Sequence, residues 1–211
     1  MKSAPAALGF RTHSGWAMLV AVAGSPSKPA VLERRRIETA DTAISGSVQP
    51  FHAAKELPLE KAEAHISKCR EGSALLATGA VFEMIAELAQ KGYTVVGTAI
   101  LFASGRPLPD PASILRSHPV IHTAEGEFSR EILISASEQC NLPVSRIKER
   151  DAWEIGAAMF RLDPADLRQT INQLGRSLGP PWTQDEKLAS LAGWIALSTQ
   201  NSKHESKAHG A

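Results

Sequence analysis

The sequence predicts a single α/β domain with one mixed sheet, in which three antiparallel strands come first, strands alternating with helices follow, and extra helices end the chain. Three observations carry this prediction. The segment Leu8 to Gly24 has the pattern of a hairpin, and the run Thr94 to Ala103 is nearly continuous in apolar and β-branched residues. Other segments repeat apolar residues at three- and four-residue steps, as helices do. This order is typical of an α/β architecture.

The first strands are predicted from alternation and turn chemistry. Apolar and small residues of the Leu8 to Gly24 segment alternate on either side of Ser14-Gly15, a pair that suits a tight turn between two strands. The run Ala30 to Thr39 is a third strand, and its charged residues protect a sheet edge from pairing with another chain.

Helical periodicity and stop signals define the middle of the chain. Two helices are predicted, Leu59 to Arg70 and Ala74 to Lys91, with Gly92 as the stop signal. The apolar run Thr94 to Ala103 follows these helices, and we predict that it forms a strand whose two faces are both covered.

Further elements follow from prolines, polar caps and periodicity. They comprise a short helix opened by Pro111, a helix from about Ala124 to Cys140, a short strand at Val144 to Lys148, and helical stretches at Asp151 to Leu162, Pro164 to Leu178 and Gln184 to Ser198. Residues 201–211 are small, polar and charged, so we predict one domain over residues 1–200 and a disordered tail over 201–211.

Composition excludes several classes of protein. The 211 residues are 43% hydrophobic, which suffices for a large core, and the formal net charge of +1 provides no global attraction to nucleic acid or anionic lipid. The two cysteines, Cys69 and Cys140, lack the spacing of a zinc site or a disulfide framework. No signal peptide or membrane span is recognisable, so a cytoplasmic location is expected.

Two segments carry a resemblance to a known family. The first is Gly9-Phe10-Arg11-Thr12-His13-Ser14-Gly15-Trp16-Ala17, and the second is Leu188-Ala189-Ser190-Leu191-Ala192-Gly193-Trp194-Ile195-Ala196-Leu197 near the end of the chain. Together with the element order, they resemble the ribonuclease H-like superfold, in particular the RuvC-type Holliday junction resolvases. The resemblance covers most of the chain in element order but only about a dozen residues in motif.

The resemblance implies a two-magnesium nuclease, and the residues depart from that pattern. Family nucleases hold two magnesium ions with carboxylates from the first strand, the fourth strand and the last helix. Here Arg11 stands at the first-strand position, the run Thr94 to Ala103 contains no acid, and only Asp185 and Glu186 lie near the expected place on the last helix. A guanidinium cannot ligate magnesium and repels it. We therefore predict that the metal-binding carboxylates are not retained and that the chain is not a two-metal nuclease.

The densest polar cluster extends from His118 to Arg130. If the backbone is helical throughout, His118 and His122 face one side and could join Glu125 in a transition-metal site, although Pro119 argues against helix there. The structural alternative is that Thr123 caps a helix and the acids favour its N-terminus. A catalytic interpretation assigns acid/base and anion-clamp roles to His122, Glu125 and Arg130.

Ligand-binding residues are predicted at two further places. Arg11, His13 and Ser14 lie at the opening hairpin, which borders the active cleft in the resembled fold. Ser104 and Arg106 follow the central strand, and ligands of open α/β sheets bind beyond the carboxyl ends of strands. For each group, plain turn formation is the structural alternative.

Three functions remain open at this point. The first is a protein of unknown activity that binds a small anionic ligand or a protein partner between Arg11/His13 and His122/Glu125/Arg130. The second is a metal-assisted or acid/base hydrolase or transferase that uses the His118 to Arg130 cluster. The third is a nucleic-acid-binding protein that does not cleave, against which the near-zero charge counts. Whether there is a catalytic activity, and which cofactor it would use, does not follow from these residues.

Overall fold

One five-stranded sheet organises the fold of this computed structural model, which describes residues 3–103 and 107–208. The strands are β1 (Ala4–His13), β2 (Trp16–Ser25), β3 (Lys28–Glu38), β4 (Tyr93–Phe102) and β5 (Val144–Lys148). Their spatial order is β3-β2-β1-β4-β5. The pairs β1–β2 and β2–β3 are antiparallel, whereas β1–β4 and β4–β5 are parallel. The predicted mixed α/β sheet is confirmed.

Seven α-helices cover the sheet in the described part of the chain. They are α1 (Pro50–Ala54), α2 (Leu59–Gln90), α3 (Pro111–Leu115), α4 (His118–Gln139), α5 (Ala152–Phe160), α6 (Pro164–Leu174) and α7 (Gln184–Ala208). Short 3-10 turns at Glu149–Asp151 and Gly175–Ser177 precede α5 and follow α6.

The helices form two layers because alternate residues of a strand point to opposite faces of its sheet. Leu8 and Phe10 of β1 lie in the core that α2 and α4 share with one face. Ala7 lies in the core on the other face, which α7 covers together with α5 and α6. Strand β4, which lies between β1 and β5, contributes to both cores, as its apolar sequence predicts.

A close backbone approach joins β1 to α7. A methyl group at Gly9 would overlap the carbonyl oxygen of Ala189 and the backbone nitrogen of Gly193, and one at Gly193 would lie 3.1 Å from the nitrogen of Gly9. Only glycine lets a strand and a helix approach this closely. The contact therefore places α7 directly over the strand that carries Arg11.

The bounds of two helices differ from the prediction. The two expected helices before Gly92 are one continuous helix, α2, because Gly72 lies inside it without interrupting it. Helix α4 begins at His118 and not near Ala124, and Ser117 rather than Thr123 is its N-cap residue. Pro119 lies in the first turn of α4. Because backbone N–H groups of the first turn have no acceptor within the helix, the lack of an N–H in proline costs no hydrogen bond there.

Helix α2 has the length and apolar composition of a membrane span. Its buried residues, which include Val81, Met84 and Leu88, belong to the core beneath the sheet. A core helix of a soluble protein can have the same length and composition, and 28% of the most apolar 18-residue window of α2 is buried. A cytoplasmic location stays a prediction.

The last helix continues beyond the predicted end of the domain. Helix α7 extends to Ala208 and includes residues 201–208, which the sequence assigns to a tail. The division into a domain at residues 1–200 and a disordered tail at 201–211 stays a prediction.

Substitution of Gly9 tests the β1–α7 contact. Gly9→Ala should lower the free energy of unfolding by about 3 kcal/mol, because the new methyl group meets backbone atoms that cannot rotate away. Gly79→Ala on exposed α2 surface is the control and should raise stability by about 0.5–1 kcal/mol. Urea unfolding measures both, and equal stability of the Gly9 variant and the wild type would contradict the packing.

Candidate functional site

Four polar residues meet where β1 ends. The Arg11 guanidinium contacts Oδ1 of Asp185 through Nη1 and donates from Nη2 to Oε1 of Glu149 at 3.3 Å. His13 Nε2 lies 3.0 Å from the same Asp185 oxygen. We call Arg11, His13, Glu149 and Asp185 the Arg11 cluster.

Local structure explains why these residues meet. Arg11 and His13 occupy odd-numbered positions of β1, and the side chains at these positions face α7. Asp185 lies in the first turn of α7, and Glu186 next to it accepts from the backbone N–H of Thr183 at 2.8 Å in a capping box. In the described chain the carboxylates of Glu149 and Asp185 contact the guanidinium, whereas the buried Glu186 is bonded to Thr183.

The electrostatics of the Arg11 cluster differ from those of an anion clamp. Arg11 and Asp185 expose 23% and 20% of their side chains, so their attraction is only partly screened by water. Because two carboxylates already bind the guanidinium, Arg11 is not a free cation for an anionic ligand. Binding of a small anionic ligand at Arg11 stays a prediction, and such a ligand would compete with these two carboxylates.

The surroundings of His13 lower its pKa. Burial lowers its pKa below the ordinary value of 6.5, and the nearby charge of Arg11 lowers it further, while Glu149 acts in the opposite direction. The His13 ring stacks on Trp16 with ring centroids 4.1 Å apart, and the Arg36 guanidinium lies 4.2 Å from the Trp16 ring centroid. Trp16 is thus a half-buried stacking residue. Ser14 forms the turn before Gly15 (φ 78°).

A cleft of about 440 Å³ opens beside the cluster and shares Glu149 with it. Its walls combine apolar and polar side chains, namely those of Phe102, Ala103, Glu149, Arg150, Trp153, Gln184 and Leu188. The cleft borders the end of β4, where ligands of open α/β sheets bind. The predicted ligand residues Ser104 and Arg106 lie outside the described residues.

A second cluster lies on the other layer. His118 and His122 are one turn apart on α4, and their ring centroids are 4.5 Å from each other. His52 of α1 joins them, with ring centroids 5.5 Å from His118 and 4.7 Å from His122. We call His52, His118 and His122 the histidine cluster. The sequence analysis missed His52, which lies 66 positions before His118 and in no motif with it.

Glu125 contacts the histidine cluster through His52. Its Oε1 accepts from the backbone N–H groups of Phe51 and His52, both at 2.9 Å, and lies 3.1 Å from the His52 ring Nδ1. The carboxyl group is buried, and burial raises its pKa although the His52 hydrogen bonds act against this shift. The Gln49 side chain makes no cap hydrogen bond to α1, so Glu125 supplies the missing acceptor.

Arg130 belongs to neither cluster. It donates to Glu127 at 2.9 Å, and its guanidinium lies 5.5 Å from the ring centroid of Phe102. The catalytic role of His122, Glu125 and Arg130 stays a prediction, in which Arg130 is paired with Glu127 and Glu125 with His52. The Arg11 cluster faces α7 and the histidine cluster lies on α1 and α4, so the sheet separates the two predicted halves of a single cleft.

Comparison with known proteins supports the fold. The structure of RuvC from Thermus thermophilus superposes with a TM-score of 0.50 and 10% sequence identity, over 94% of this chain and 96% of that one. T. thermophilus RuvC in complex with a Holliday junction substrate matches with a TM-score of 0.50 and 11% identity, over 90% of each chain. No protein-family model and no curated protein sequence matches the chain. The chain thus has a RuvC-like, ribonuclease H-type fold, as the resemblance predicts.

Removal of the Asp185 charge tests the Arg11 cluster. Asp185→Asn should lower the free energy of unfolding by about 1–2 kcal/mol, because it leaves the partly buried Arg11 with Glu149 alone. Asp151→Asn, which removes the partner of exposed Arg150, is the control and should change stability by less than about 0.5 kcal/mol. Chemical denaturation measures both, and equal losses would show that the Arg11 contact adds nothing specific.

The lowered pKa of His13 predicts a pH dependence. Between 6.5 and the lowered pKa of the folded state, the unfolded chain binds more protons at His13 than the folded chain does, so this residue makes stability fall as pH falls. His13→Gln should flatten the loss of stability from pH 7 to about pH 5. The measurement is a denaturation midpoint at each pH, and an unchanged or steeper slope in the variant would contradict the assignment.

Proposed function

We propose that this chain is a ribonuclease H-fold protein without two-metal nuclease activity, which binds a small ligand or a protein segment in the cleft beside the Arg11 cluster. One observation carries the proposal. Arg11 occupies the first-strand position at which the RuvC-type nucleases carry an acid, and both carboxylates near it are paired with its guanidinium.

The charges at this place argue against a pair of magnesium ions. The three ionised side chains, Arg11, Glu149 and Asp185, sum to a charge of −1, against +4 for two Mg²⁺ ions. A divalent ion near Arg11 would also meet its repulsion, about 8 kcal/mol for a separation of about 4 Å at an effective dielectric of 20. Strand β4 has no acid that could compensate.

The cleft favours a binding role. Phe102, Trp153 and Leu188 offer apolar surface, and Glu149, Arg150 and Gln184 offer hydrogen-bonding groups at its border. Concave apolar surface with a few polar groups is the usual character of a ligand site. The occupant is a molecule or peptide with an apolar body and a polar end, and Arg11 does not require it to be an anion.

Reconstruction of the missing acid tests the proposal. We expect no cleavage of a four-way DNA junction by the purified wild type in Mg²⁺, under conditions in which a RuvC nuclease cleaves it. We also expect Mg²⁺ to leave the wild-type melting temperature unchanged but to raise that of Arg11→Asp, where an acid would join Glu149 and Asp185. Mg²⁺-dependent cleavage by the wild type that Asp185→Asn abolishes would overturn the proposal.

A binding experiment separates this role from that of a non-cleaving DNA-binding protein. Because the formal charge is only +1, we expect no retention of branched DNA at about 0.15 M salt. Retention that weakens steeply as salt increases would favour the nucleic-acid role instead. The RuvC–junction complex concerns that protein and does not decide this point.

A further inference from the structure

We propose that the histidine cluster is a binding site for a divalent transition-metal ion, with one nitrogen from each of His52, His118 and His122 as ligands. This site lies on the opposite layer from the Arg11 cluster and does not depend on the function proposed there. It differs from the predicted His118/His122/Glu125 set, because Glu125 bonds to His52 and does not face the other two rings.

The geometry of the three rings is that of a ligand set. One nitrogen from each imidazole lies within 4.8 Å of the other two. Zn–N bonds of about 2.0–2.1 Å in a tetrahedral site correspond to nitrogen separations of about 3.4 Å. Small rotations of the exposed His118 and His122 side chains close this difference, since neither ring is packed into the core.

Two elements distant in sequence converge here. His118 and His122 are four residues apart, which places both on one face of α4. His52 comes from α1, whose N-terminal N–H groups are bonded to the carboxylate of α4. The same Glu125 contact that attaches α1 to α4 thus brings the third imidazole to the other two.

Glu125 also decides which nitrogen of His52 is available. As an acceptor 3.1 Å from Nδ1, the carboxylate holds the proton on that nitrogen and leaves the lone pair of Nε2 free to bind a metal. A carboxylate behind a ligating histidine is the usual outer-sphere arrangement of zinc sites. Glu125 is therefore a positioning residue, buried to 4% exposure, and not itself a ligand.

The donor set determines the class of ion. Three imidazoles suit Zn²⁺, Cu²⁺, Ni²⁺ or Co²⁺, whereas Mg²⁺ and Ca²⁺ require oxygen ligands. Three protein ligands leave a fourth position, and the exposure of His118 and His122 lets water or an external oxygen ligand reach it.

Metal titration of the full chain tests the proposal. We expect the wild type to bind one equivalent of Zn²⁺ in competition with a chromophoric chelator. His118→Ala and His122→Ala should each weaken binding at least 10-fold without unfolding the protein, because both side chains are exposed. A triple variant, His65→Gln with His204→Gln and His209→Gln, removes three of the four histidines outside the cluster and should bind Zn²⁺ as the wild type does.

The positioning role of Glu125 has its own variant. Glu125→Gln keeps an oxygen acceptor for the backbone N–H groups of α1 but removes the charge that selects the His52 tautomer. It should weaken Zn²⁺ binding by about 10- to 100-fold and shift the visible d–d bands of bound Co²⁺. Glu127→Gln, on the same helix but paired with Arg130, is the matched control and should leave both unchanged.

Defined results would overturn the proposal. No Zn²⁺ bound by the folded wild type would do so, as would binding that persists at full strength in a His118→Ala, His122→Ala double variant. Loss of binding in the triple histidine variant would assign the metal to residues outside the cluster. None of these results bears on junction cleavage or on the Arg11→Asp experiment, so this proposal and that for the Arg11 cleft succeed or fail separately.

Discussion

The backbone contact between β1 and α7 is the constraint on which the rest of the structure depends. Gly9 and Gly193 have no side chains to separate the strand from the helix, so the first turn of α7 reaches the end of β1. This close approach brings Asp185 next to Arg11. With the helix a few ångströms farther away, Arg11 would keep only Glu149 as an ion-pair partner.

At the end of β1 a guanidinium lies between two carboxylates. Arg11 supplies the positive charge, and Asp185 and Glu149 form ion pairs with it inside the protein. A fold match at 10% identity carries no information about these charges, because packing of the sheet depends on its apolar residues and not on the charges at its edge.

The sheet also separates two polar groups that the sequence analysis combined in a single cleft. His13 and Arg11 project toward α7, whereas His118, His122 and Glu125 belong to the layer of α1 and α4. Each group has its own neighbours and charge environment. The molecule consequently presents two candidate sites with different chemistry. One is the cleft beside the Arg11 cluster at the end of the sheet, and the other is the histidine cluster on α1 and α4.

Local pattern was sufficient for the strand order along the chain, the Ser14-Gly15 turn and the burial of β4, because alternation, turn chemistry and apolar runs act between neighbouring residues. The loss of the metal-binding carboxylates, inferred from Arg11, stays a prediction. Tertiary structure alone decided that α2 is continuous and that Glu149 reaches Arg11. It also brought His52 to His118 and turned Glu125 inward. These contacts join residues that are far apart in sequence. The packing of helices on the sheet determines which distant side chains meet, and local periodicity does not encode that packing.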